Sequence, residues 1–167
     1  SAGATLPAGH PALLTIVESM LTALNTPAEA VQLAVSDCLE SLARADSMKE
    51  EPRLEEAVLE LRARVAAASV SYGERRGACL GLAALIRGLG IRTLARYGLV
   101  SLVREGAEGS ASDREGALLL LEALSARLGP TVEPYVVPLM PVMLKVSLFF
   151  RFCIVFLCFF FPFYIGI

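Results

Sequence analysis

The chain has 167 residues, enough for one ordinary domain or three to four helical repeats. Its 15 basic and 17 acidic residues leave a formal charge of −2, which argues against a free-standing nucleic-acid binder, because displacing counterions takes a basic surplus. The single histidine, His10, lies between Gly9 and Pro11, which excludes a two-histidine metal site within these residues and disfavours a Ser/His or Cys/His catalytic pair.

Ser1–Gly9 is rich in Ala, Gly and Pro and reads as an irregular lead-in, with no basic or apolar region of a signal peptide. From His10 to Leu24, apolar residues at 13, 14, 17, 20, 21 and 24 make the stripe of an amphipathic helix. Thr26-Pro27-Ala28-Glu29 offers an N-cap hydroxyl, a proline at the first helical position and a Glu to close the cap. The helix that follows is expected to turn Val31, Ala34, Val35, Cys38, Leu39 and Leu42 inward. A charged linker, Arg44–Pro52, comes next.

The second pair is predicted as Leu54–Ala68 and Tyr72–Gly90, with Ser71-x-x-Glu74 as a capping box. The third is Arg92–Glu105 and Ser112–Leu128, with a turn over Gly106–Ser110 and a second box at Ser112-x-x-Glu115. A fourth unit opens at Thr131, where Pro134 suits a first turn but Pro138 and Pro141 must bend or shorten the helix. After Lys145 the composition changes. Residues 146–167 hold all eight phenylalanines and one charge, Arg151. Two readings stand: a membrane anchor of about 20 apolar residues, or read-through of an unspliced intron, since Lys-Val-Ser at 145–147 is what AAG GTA AGT encodes.

The helices repeat. A slide of 39 residues lays Arg75, Gly77, Ala78, Leu82, Leu85, Leu89 and Gly90 on Arg114, Gly116, Ala117, Leu121, Leu124, Leu128 and Gly129. A slide of 43 in the other direction lays Gly77, Ala78, Leu82 and Leu85 on Ala34, Val35, Leu39 and Leu42. A helical repeat of this length indicates an all-α solenoid of antiparallel helix pairs, with units at about 10–44, 53–90, 91–129 and a partial 131–145. Each helical Gly costs ~1 kcal/mol against Ala, so the glycines on the inner stripe suggest close backbone approach. Arg75 and Arg114, each opening a second helix, are expected to reach the turns of adjacent units.

Catalytic chemistry is not in view. Glu50-Glu51 and Glu55-Glu56 read as solvated surface, and Gly88-x-Gly90 lacks the strand and third glycine of a phosphate cradle. The four cysteines, at 38, 79, 153 and 158, lack zinc spacing; Cys38 and Cys79 read as buried small hydrophobes in a reducing compartment. No cofactor or metal is expected.

The arrangement resembles HEAT repeats. The strings NTPAEAVQLAVSDCLESL, YGERRGACLGLAALIRGLGI and DREGALLLLEALSARLGPTVEPYVVPLMPVML resemble, more narrowly, the central elongation-factor-three-like region of the general control non-derepressible translational activator family. The similarity covers about residues 10–145 and implies a piece of a longer, non-enzymatic, cytosolic scaffold lying along ribosomes. It also implies an ABC-ATPase partner and a stress kinase of initiation factor two alpha, whose binding segment lies outside this stretch. Arg75, Arg76 and Arg114 are the candidates for ribosome or partner contact. A membrane-tethered HEAT adaptor is the alternative if the tail is an anchor.

Overall fold

A computed structural model describes residues 11–45 and 51–149. Among the described residues nine α-helices follow in chain order: α1 Pro11–Ala23, α2 Glu29–Arg44, α3 Pro52–Ala66, α4 Tyr72–Leu89, α5 Arg92–Arg96, α6 Leu99–Glu108, α7 Ala111–Leu128, α8 Glu133–Val136 and α9 Met140–Phe149. Short 3-10 turns over Gly129–Val132 and Val137–Leu139 flank α8. No strand occurs among the described residues. The fold is an all-α, HEAT-type solenoid of antiparallel helix pairs.

Two layers organise it. The second helices α2, α4 and α7 lie side by side with α4 in the middle, and α3 and α6 back onto α4 and α7. Buried residues from Leu13 through Leu39, Leu61, Leu82, Leu99 and Leu120 to Met143 form one continuous core. Both flanks of α4 are covered, so its buried set includes small residues on several faces: Gly77, Ala78, Gly81, Ala83, Ala84 and Gly88. Such residues bring neighbouring backbones close, as the α2 side shows. A Cβ on Gly88 would lie 2.6 Å from Ala43 Cβ and 2.8 Å from Glu40 O.

Several boundaries differ from the sequence expectation for local reasons. The helix expected over Arg92–Glu105 breaks into α5 and α6 at Gly98, whose φ of +63° is left-handed and open to glycine without strain. The fourth unit is cut up by its prolines, as expected of Pro138 and Pro141, into α8, α9 and two short 3-10 turns. The cap expected at Thr26 moves to Ala28, which makes no side-chain cap bond; Thr26 Oγ1 accepts from Ala28 N at 3.5 Å instead. Ser71 and Glu74 do form the expected box. The other box forms two residues early, from Ser110 and Asp113, so Ser112 and Glu115 are not caps.

The face of α2 is the largest correction. Gln32, Ser36, Leu39, Glu40 and Ala43 are buried, whereas Ala34 and Cys38 are exposed and Val31 keeps 43% of its surface. Most buried positions sit one residue past the expected ones, a rotation of about 100° about the helix axis. Polar partners described below let Gln32, Ser36 and Glu40 be buried, and hydrophobicity alone does not register them. At the other end, α9 runs without a break through the composition change at 145/146. The rest of the apolar stretch, 150–167, lies outside the described residues, as do the lead-in 1–9 and His10. No helix among the described residues is long and apolar enough to cross a membrane.

Candidate functional site

The polar groups at the start of the second helices form a graded series of contacts between successive units. Arg75, in the first turn of α4, is the most embedded charge among the described residues, with a side chain 2% exposed. Its Nη2 donates backward to the α3–α4 turn, at Ala67 O (3.0 Å) and Val70 O (3.4 Å). It reaches forward to α7 as well: Nη1 donates to Ser112 O (2.9 Å) and Glu115 Oε2 (2.6 Å), and Nη2 to Ser112 Oγ (2.7 Å). The planar fork of a guanidinium is suited to serving several acceptors at once. Ser112 and Glu115, displaced from capping by the earlier box, are its receivers.

The same rung recurs one unit earlier with different chemistry. Gln32, fully buried, takes the place of Arg75. Its Nε2 contacts Leu24 O eight residues back (2.9 Å), as Arg75 contacts Ala67 O eight residues back, together with Thr26 O (2.7 Å) and Gly73 O (2.7 Å). Gly73 and Ser112 are equivalent under the 39-residue slide, and so are Arg76 and Glu115. Arg76 Nε donates to Gln32 Oε1 at 2.9 Å, closing this rung with donor and acceptor exchanged relative to Arg75 and Glu115. Arg76 also pairs with Glu29 (2.9 Å), donates to Pro27 O (3.0 Å) and lies over the Tyr72 ring at 5.9 Å.

Arg114 occupies the third rung. It donates backward to Gly109 O at 2.8 Å, five residues back, as Arg75 does to Val70 O. The forward partners would fall at 151 and 154, which hold Arg151 and Ile154 and lie outside the described residues. Arg75 and Arg76 thus sit in two successive rungs, while Arg114 has only the backward half of its rung among the described residues.

The inner glycines clear the space for these rungs. A Cβ on Gly77 would overlap Leu24 O and lie 2.7 Å from Gln32 Nε2; one on Gly116 would lie 2.8 Å from Val65 O and 3.4 Å from Arg75 Cδ. The close approach expected of Gly77 and Gly116 is therefore real, and each glycine acts as one device with the polar residue of the preceding unit, Gly77 with Gln32 and Gly116 with Arg75. The third member of that column, Ala34, is exposed. The 43-residue slide lays Gln32 on Arg75, which is the one sequence signal for its role, since its residue type alone does not suggest a buried joint.

The electrostatics suit a structural joint. Hydrogen bonds from Ser71 hold the Glu74 carboxyl below its usual range, and those from Ser110 do the same for Asp113. Burial pushes the Cys79 thiol up, against the field of Arg75, so it is not a nucleophile at neutral pH. Among the described residues no group of three or more His, Cys, Asp or Glu could hold a metal ion. The arrangement can hold units in register.

No family model and no solved structure matches the chain. Curated relatives do. Protein ILITYHIA of Arabidopsis thaliana is 43% identical over 136 residues, 80% of this chain and 5% of the relative. The stalled ribosome sensor GCN1 of Homo sapiens is 36% identical over 138 residues, 78% of this chain and 5% of the relative. The eIF-2-alpha kinase activator GCN1 of Saccharomyces cerevisiae is 33% identical over 133 residues, again 78% and 5%. The chain therefore spans about one-twentieth of the length of these relatives. Over about four fifths of its residues, this chain is a GCN1-like sequence.

Proposed function

We propose that residues 10–145 serve as a non-enzymatic scaffold segment in a ribosome-associated translational regulator acting in the cytosol. The observation that carries this reading is the identity to proteins named as an eIF-2-alpha kinase activator and a stalled ribosome sensor, extending across the helical stack. A stack whose embedded polar groups serve its own joints is suited to holding a long chain in shape while others dock. In this reading the units run at about 10–44, 53–90, 91–129 and 131–145, the ribosome is the main partner, and an ABC-ATPase and the starvation-activated kinase are engaged elsewhere on the longer chain. Of the three arginine candidates, Arg114 is the one whose forward side meets no partner among the described residues, which suits it to contact with a further unit or partner. Arg75 and Arg76 support the reading as joints.

The test is cosedimentation. A full-length protein containing this stretch is expected to travel with ribosomes through a sucrose gradient at physiological salt. Migration at the top of the gradient, free of ribosomes, refutes the proposal.

A further inference from the structure

A second polar network joins units that are not neighbours. Arg127, in the last turn of α7, reaches past α4 to α2: its Nη1 donates to Asp37 Oδ1 (2.5 Å) and Glu40 Oε2 (3.1 Å), and its Nη2 to Ser36 Oγ. From the middle helix, Arg87 Nε pairs with Glu40 Oε1 at 3.2 Å and its Nη1 donates to Arg127 O. Arg44 adds a third cation to Glu40. The side chains of Arg127 and Glu40 are only 17% and 11% exposed. On α4, Gly88 lies against the same end of α2, where an added Cβ would come within 2.6 Å of Ala43 Cβ and 2.8 Å of Glu40 O.

Geometry makes this network sensitive to curvature. Adjacent helix axes lie about 8–10 Å apart, so in a flat layer α2 and α7 would be separated by roughly twice that, at the limit of an Arg–Glu pair. That Arg127 nonetheless reaches α2 calls for a layer bent towards this face, and flattening by a few ångströms would break these bonds. Neither rung at the helix starts has this property, since each joins neighbours only. We propose that the Arg127–Glu40–Arg87 network is a clasp that sets the curvature of the stack, closing the first unit onto the third over α4, and that its release lets the solenoid straighten. Ion pairs with partly exposed members weaken with salt, so ionic strength acts on the clasp directly.

Small-angle X-ray scattering of the full chain from 50 mM to 1 M NaCl tests this. The maximum dimension is expected to grow with salt in the wild type. Arg127→Gln is expected to be extended already at 50 mM and to change no further, with an unaltered far-UV circular dichroism spectrum. Wild-type scattering that does not change with salt overturns the proposal, as does an Arg127→Gln curve that superposes on wild type throughout. If Arg127→Gln loses helical signal, Glu40→Gln takes its place with the same expectations, and the wild-type titration decides the matter by itself.

Discussion

Replacing Gly77 by alanine sets two physical effects directly against each other. Helix propensity alone predicts a gain of ~1 kcal/mol. Against it, the new Cβ would overlap Leu24 O and lie 2.7 Å from Gln32 Nε2 and 2.9 Å from the Leu24 carbonyl carbon. The oxygen is backbone and cannot swing aside, and the amide is held by three carbonyls. The α1–α2 turn must therefore retreat, with an overpacking cost of ~1–3 kcal/mol. That retreat breaks the buried Gln32–Leu24 bond, at a further ~1–3 kcal/mol for a group left unsatisfied. The net expectation is a loss of about 3 kcal/mol once the propensity gain is subtracted. Urea unfolding followed by circular dichroism reads it as a lower midpoint at unchanged slope. Gly73→Ala, four residues earlier in the same helix, is the control. Its Cβ meets nothing closer than Pro27 Cα at 3.4 Å, so it should be neutral or stabilise by up to ~1 kcal/mol. Equal midpoints for the two variants would show that the glycine is not a close-approach site and would refute the reasoning.

Arg75→Lys is expected to destabilise by ~2 kcal/mol or more in the same assay, because an ammonium cannot serve acceptors on both sides of the joint; wild-type stability would count against the rung. Iodoacetamide should label Cys38, which is exposed, within minutes in the native protein and leave Cys79 unmodified until urea is added, as read by peptide mass mapping. The carboxyls of Glu74 and Asp113, held below their usual values by their capping serines, bind protons more readily when unfolded. Their contribution is complete above the ordinary carboxylate range near pH ~4–4.5 and is lost as pH falls through the lower folded values. Thermal melts between pH 7 and pH 2.5 should therefore show a smaller acid loss for Ser71→Ala and Ser110→Ala combined than for wild type.

Much of the fold was legible because the forces that define it are periodic. Leu82, Leu85 and their equivalents at 121 and 124 announce helices and a repeat before any contact is known. The parts that escaped depend on polar groups whose partners are distant in sequence. Gln32, Ser36 and Glu40 look like solvent-facing residues on α2 until the acceptors and donors 41 to 91 residues away are in place. Their burial rotates the helix and puts Cys38 outside. Ser112-x-x-Glu115 looked like a cap because the motif fits, yet Ser110 and Asp113 fit equally well and leave the later pair for Arg75. Gly98 broke a helix that apolar spacing alone continued. Arg75, by contrast, is legible from its place at a helix start as a residue that reaches neighbouring turns. Arg127 carried no local sign of its reach to α2, since nothing in its own helix requires it.

The claim beneath all of this is that α2, α4 and α7 share one interior and open together. Native-state hydrogen exchange of the full chain in low concentrations of denaturant addresses it most directly. The account predicts that the slowest amides of all three helices, around Leu39, Leu82 and Leu120, merge into a single opening with a common free energy and a common denaturant dependence. Separate openings, with α2 or α7 exchanging freely while α4 stays protected, would contradict it.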